Sequence, residues 1–168
     1  QLTCADSDRC PLEHSVSDPS PVSHARDGLT GAGWTLAASM FNARSDHTAT
    51  LLTNGKVLIA GGTSGGTVLR QAETFDPTNG TWTSAGQMIS DRYGASAVVL
   101  ATGQVLVIGG YSGTAHSETA GAELFDPQLM TWKSAAALHG ARAYATATGL
   151  ADGRVLVAGG GQGIASGS

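Results

Sequence analysis

Three stretches of this chain end in the same way, with an apolar run halted by a pair of glycines. The pairs are Gly61-Gly62, Gly109-Gly110 and Gly159-Gly160. Before them stand Val57-Leu58-Ile59-Ala60, Val105-Leu106-Val107-Ile108 and Val155-Leu156-Val157-Ala158. Six residues ahead of each pair is another glycine, Gly55, Gly103 or Gly153, and seventeen ahead is an arginine, Arg44, Arg92 or Arg142. Ten residues before each arginine is a tryptophan, Trp34, Trp82 or Trp132. Landmarks that hold register through three copies define a structural repeat. A repeat limits architecture more than a single motif does, because each unit must bury its faces against its neighbours.

From tryptophan to tryptophan the period is 48 and then 50 residues. The difference falls between the diglycine and a following Phe-Asp-Pro: Asp76 lies 15 residues after Gly61, and Asp126 lies 17 after Gly109. Length variation confined to one place marks a surface loop, where insertions cost little. Each repeat resolves into four strands. The first is His47 to Leu52, with Ala95 to Leu100 and Ala145 to Leu150 as counterparts. A tight turn at Asn54-Gly55, Thr102-Gly103 or Asp152-Gly153 leads into the Val-Leu run, whose lack of polar alternation predicts a strand covered on both faces. The third strand is Gln71 to Phe75 or Gly121 to Phe125, and the fourth surrounds Trp82 or Trp132. A sheet of this size cannot bury both faces alone, so the units are expected to stack as propeller blades, with the Trp and Phe residues as their apolar contacts.

Composition agrees with many short strands and glycine turns. The 168 residues include 24 glycines, about twice the usual share, and only 13% are charged. Net charge is −4 with nine Lys plus Arg and no basic run, which argues against nucleic acid as a partner. No apolar stretch approaches the ~18 residues of a membrane span.

The diglycine after an apolar strand, the aromatic at Phe75 and Phe125, and the tryptophan six residues past Asp-Pro resemble Kelch repeats, especially their bacterial form. The resemblance covers residues 34 to 160 and implies an all-β, Kelch-type β-propeller of four-stranded antiparallel blades. Residues 35–82 and 83–132 then form blades and 133–168 a half blade, about 2.5 in all and short of a closed propeller. Residues 1–33 form a polar leader, partly disordered or ending a preceding blade. The remaining blades are expected from missing sequence or from self-association. Kelch repeats often carry tyrosine where Phe75 and Phe125 stand, so a hydroxyl is lost here while the packing role stays.

Kelch ligands usually bind on the face formed by the loops from fourth to first strand and from second to third. The resemblance therefore implies a protein or carbohydrate ligand on Arg70, Arg92, Tyr93, Tyr111, His116, Glu118, Arg142 and Tyr144, with Arg44, Asp46, His47 and Asp91 nearby. The arginines stand in every repeat, which favours service to the scaffold; the unrepeated Tyr111, His116 and Glu118 are better suited to specificity. Glu73 and Glu123 share one blade position, so the repeat explains them better than paired-carboxylate catalysis does.

The five histidines show no metal-ligand spacing, and neither a cofactor nor a catalytic group is expected. Ala141-Arg142-Ala143-Tyr144 resembles the tyrosine-ligand context of galactose-oxidase-type copper radical oxidases, which share a Kelch-like propeller. That family also needs a cysteine about one blade upstream, and both cysteines here, Cys4 and Cys10, lie in the leader. A disulfide between them would indicate export to an extracellular or periplasmic space; two free thiols on a tail are the alternative.

Overall fold

The computed structural model describes residues 23–25 and 34–161. Cys4, Cys10 and most of the leader lie outside the described residues. Within them every regular element is a strand, in chain order β1 (Ser23–Ala25), β2 (Trp34–Leu36), β3 (Thr48–Leu51), β4 (Val57–Ala60), β5 (Thr63–Ser64), β6 (Thr67–Val68), β7 (Gln71–Asp76), β8 (Thr81–Gln87), β9 (Ser96–Val99), β10 (Val105–Ile108), β11 (Tyr111–Ser112), β12 (Ser117–Glu118), β13 (Ala122–Asp126), β14 (Thr131–Ala135), β15 (Ala143–Gly149) and β16 (Val155–Gly161).

These strands form two antiparallel four-stranded blades, β3-β4-β7-β8 and β9-β10-β13-β14. A further sheet, β15-β16, repeats the inner half of a blade, and β1 pairs antiparallel with β2 ahead of the first. Registers repeat as well as topology: Val57 faces Phe75, which faces Trp82, and Val105 faces Phe125, which faces Trp132. The inner strands β3, β9 and β15 pack side by side. The core runs between the blades, through Leu52, Leu58, Met88, Val105, Val107 and Phe125.

The fourth strands extend past Trp82 and Trp132 to Gln87 and Ala135. Blade boundaries therefore fall after those strands and not at 82 and 132. The tryptophans are half-buried and tilt against Phe75 and Phe125 at 5.0 and 4.9 Å between ring centres. They also contribute a polar link: the indole N–H of Trp82 donates to the Ala38 carbonyl at 2.7 Å, and that of Trp132 to Ala85 at 2.9 Å. Ala85 belongs to the fourth strand of the preceding blade, and Ala38 lies two residues past the end of β2.

The first two diglycines lie at blade junctions. Both residues of Gly109-Gly110 have positive φ, 66° and 94°, a region that strains side-chain-bearing residues. The Gly110 N–H donates to the Arg142 carbonyl of the next repeat at 2.9 Å, as Gly62 does to Arg92 at 2.8 Å. A methyl group on Gly109 would run into that same Arg142 carbonyl. At Gly159, φ is 69° but nothing described lies within 4 Å of the equivalent position. The β15-β16 sheet also leaves Leu156 54% exposed, whereas its counterpart Leu58 is fully buried.

These junctions make Gly109→Ala and Gly159→Ala a matched pair. Left-handed backbone costs each variant about 1–2 kcal/mol, and the blocked junction adds about 1–3 kcal/mol in Gly109→Ala alone. Urea denaturation should show the larger loss for Gly109→Ala; equal losses would remove the close approach from the account.

Candidate functional site

The repeated arginine is first a scaffold residue. Arg92 is 2% exposed. Its Nη1 donates to the carbonyls of Gly109 at 2.9 Å and Gly121 at 3.0 Å, joining the end of β10 to the start of β13. Its Nη2 meets Glu123 Oε1 at 2.6 Å. Glu123 in turn accepts from the backbone N–H groups of Ile89 and Ser90 at 2.6 and 3.0 Å, fixing the segment that enters from the preceding blade. The first blade repeats this with Arg44, the carbonyls of Gly61 and Gln71, Glu73, and the N–H of Phe41. Burial lowers the Arg44 pKa while the Glu73 charge and hydrogen bond oppose that shift. In the third repeat Arg142 donates to Gly159 O at 3.0 Å. The expectation of a ligand on Arg92 is thus corrected: its guanidinium is spent inside the blade. Arg70, exposed beside β7, bonds Gln87 at 3.1 Å.

The remaining candidates come together. Tyr93 and Tyr111 stack at 5.1 Å between ring centres, His116 meets the edge of Tyr93 at 5.6 Å, and Tyr144 meets Tyr111 at 6.0 Å. The Tyr111 hydroxyl donates to Glu118 and that of Tyr144 to Asp46, both at 3.2 Å. Burial first, then the neighbouring carboxylate, raises the pKa of both phenols, so they stay protonated donors at neutral pH. Asp91 accepts from Ser112 Oγ and Gly113 N at 2.8 and 3.0 Å, holding the β11-β12 hairpin. That hairpin carries the two extra residues of the second repeat at a tip, residues 113–116, where β5-β6 turns over Gly65-Gly66.

The cluster is set on backbone positions that every repeat shares. The residue after the arginine bridges the residue after the diglycine: Ser45 with Thr63, Tyr93 with Tyr111, and Ala143 with Gly161. In the first repeat the two hydroxyls simply meet, at 3.0 Å. One position further on, Asp46, Gly94 and Tyr144 all take left-handed φ, at 55°, 59° and 54°. Backbone bonds chain them, Gly94 N to Asp46 O at 2.9 Å and Tyr144 N to Gly94 O at 2.7 Å. The Tyr144 ring fills the place a Gly94 side chain would take. Tyr144 is 58% exposed. The sequence puts these tyrosines on one face but does not foretell the contacts between their rings. Tyr93 and Tyr144 stand one and two places after the arginine in successive repeats, and Tyr111, one place after the diglycine, touches both rings.

Among the described residues no three His, Cys, Asp or Glu side chains gather as a metal site. A polar groove on the turns, lined by Asn54, Gln104 and Asp126, lies among residues distinct from the cluster.

His47 packs behind the face, with its Nδ1 buried and unbonded among the described groups. Burial, then the charge of Arg44, lowers its pKa from the ordinary 6.5. A base with a depressed folded-state pKa takes up more protons when unfolded, so its contribution to stability falls as pH drops below about 6.5. Ala95 and Ala145 occupy the equivalent position, which makes His47→Ala a tolerated control. Melting temperature followed downward from pH 7 should fall less steeply in His47→Ala than in the unaltered chain; parallel curves would acquit His47.

The model of the Kelch motif matches residues 44–89. Among solved structures, that of YjhT is similar to this chain with a TM-score of 0.66 at 15% identity, covering 74% of this chain and 47% of that one. The chain thus spans about half the length of that structure, and the likeness is one of fold. No curated protein matches the chain.

Proposed function

We propose that this chain, a set of Kelch-type β-propeller blades, is a non-enzymatic binding module that recognises a protein or glycan through the Tyr93–Tyr111–Tyr144 face. Kelch propellers commonly serve in protein binding, and one observation supports a ligand at this face in particular. The blade frame accepts Ser45-Thr63 or Ala143-Gly161 where Tyr93-Tyr111 stands, so folding does not demand the rings. Large aromatic groups with hydroxyl donors, gathered at loops on a rigid frame, are the anchors that binding surfaces favour. Left-handed backbone at Asp46, His116 and Tyr144 adds local strain at the same place.

The frame supplies its own control. The double variant Tyr93→Ser with Tyr111→Thr installs the pair of the first repeat and should cost about 1–2 kcal/mol of stability. Protein and glycan partners retained by the immobilised chain should be lost from this variant and from His116→Ala with Glu118→Ala. Undiminished retention would leave the blades a purely structural role. We also propose that the protein works outside the cytoplasm, on the strength of Cys4 and Cys10; two titratable thiols in material purified without reductant would contradict this.

A further inference from the structure

We propose that this chain closes its propeller with a second copy of itself, joined head to tail, so that one blade is assembled from halves of two chains. Both halves are on hand. β15-β16 matches the first and second strands of a blade. β1-β2 has the register of a third and fourth strand: Ala25 stands opposite Trp34, where Phe75 and Phe125 stand opposite Trp82 and Trp132. Trp34 also precedes Arg44 by ten residues, as Trp82 precedes Arg92. Among the described residues β16 pairs only with β15, and β1 only with β2. Each therefore presents a row of backbone groups to which a further strand can be added.

The flanks match as the edges do. At the first junction Leu58 and Ala60 share a buried cluster with Val105 and Val107, and Ala97 and Val99 pack against it. The chain carries a further set of each side of this joint. Leu156 and Ala158 take the places of Leu58 and Ala60 in the third repeat, and Ala49, Leu51 and Val57 take those of Ala97, Val99 and Val105 in the first. Both sets are open, with Leu156 54% and Leu51 66% exposed. The main chain repeats the pattern. Side-chain positions at Gly61 and Gly109 are closed by the Arg92 and Arg142 carbonyls, whereas no described atom lies within 4 Å of the same point at Gly159. The carbonyl of Arg44 in a second copy fits there by the same geometry. A different protein would have to reproduce both flanks and both edges; a second copy already carries them. Two blades and two halves amount to three blades per copy and six per pair, within the range of about 4–8 at which propellers close. A head-to-tail contact that closes in this way makes a ring and buries both apolar flanks.

Analytical ultracentrifugation of the full 168-residue chain tests this, and the chain should sediment as a dimer. Leu156→Glu and Leu51→Glu alter side chains that are exposed in a single copy. Each variant should keep the strand signal in far-UV circular dichroism while association weakens roughly a hundredfold or more. Mixed in equal amounts, the two variants should recover a dimer, because one of the two joints then brings an unaltered Leu156 to an unaltered Leu51. Amide exchange along β16 should slow in the dimer and in neither variant alone. A monomer even at millimolar concentration would overturn the proposal and assign the remaining blades to further sequence. Open-ended assemblies would overturn the closed pair. Association lost in only one of the two variants, or no recovery in the mixture, would overturn the head-to-tail joint.

Discussion

The buried arginine–glutamate pair holds this architecture in place. Two opposite charges in an apolar blade are costly to desolvate, and the cost is offset only when every remaining donor and acceptor is also satisfied. Arg92 and Glu123 come close to this by gathering two carbonyls and two N–H groups around themselves. The backbone groups they recruit come from the end of the second strand, the start of the third, and the segment arriving from the blade before. Meanwhile the Arg92 carbonyl receives the Gly62 N–H of that earlier blade. One residue thus sets the shape of its own sheet through its side chain and its attachment to a neighbour through its main chain.

From that fixed arrangement the character of the loop face follows. Main-chain bridges and left-handed residues recur at equal places in each repeat, so the side chains there are positioned without having to hold anything together. Ser45 and Thr63 use the freedom sparingly; Tyr93 and Tyr111 use it to stack. Tyr144 leans across Gly94, where the absent side chain leaves room for its ring. Conformity in the frame and variety on the face are two results of the same geometry, and the second is where recognition is sought.

Strand order, the covered second strand and the turn positions were legible because they rest on periodicity and on residues with narrow conformational roles. The structure adds what such patterns do not encode. The fourth strand continues through Ser84-Ala85-Gly86-Gln87, residues with little intrinsic preference for strand, because its partner β7 extends that far. The short hairpins β5-β6 and β11-β12 hide in loops that are variable in length. The arginine's part in the scaffold could be inferred from its recurrence, but its carboxylate partner stands 29 residues away in one repeat and 31 in the next. The tyrosine cluster depends on rings from separate repeats approaching one another, which no single-repeat motif describes. The cysteines lie outside the described residues.

Because the main-chain bonds at the described junctions between blades are made by residues common to each repeat, one blade presents much the same backbone docking edge as the next. Gly62 meets Arg92 as Gly110 meets Arg142, and Trp132 reaches Ala85 much as Trp82 reaches Ala38. A gene segment encoding one blade could be duplicated, lost or exchanged by recombination without inventing a new interface. Ancestral blades would then diverge only at their rims, so the history of such a protein is written in loop-tip residues while its joints stay interchangeable.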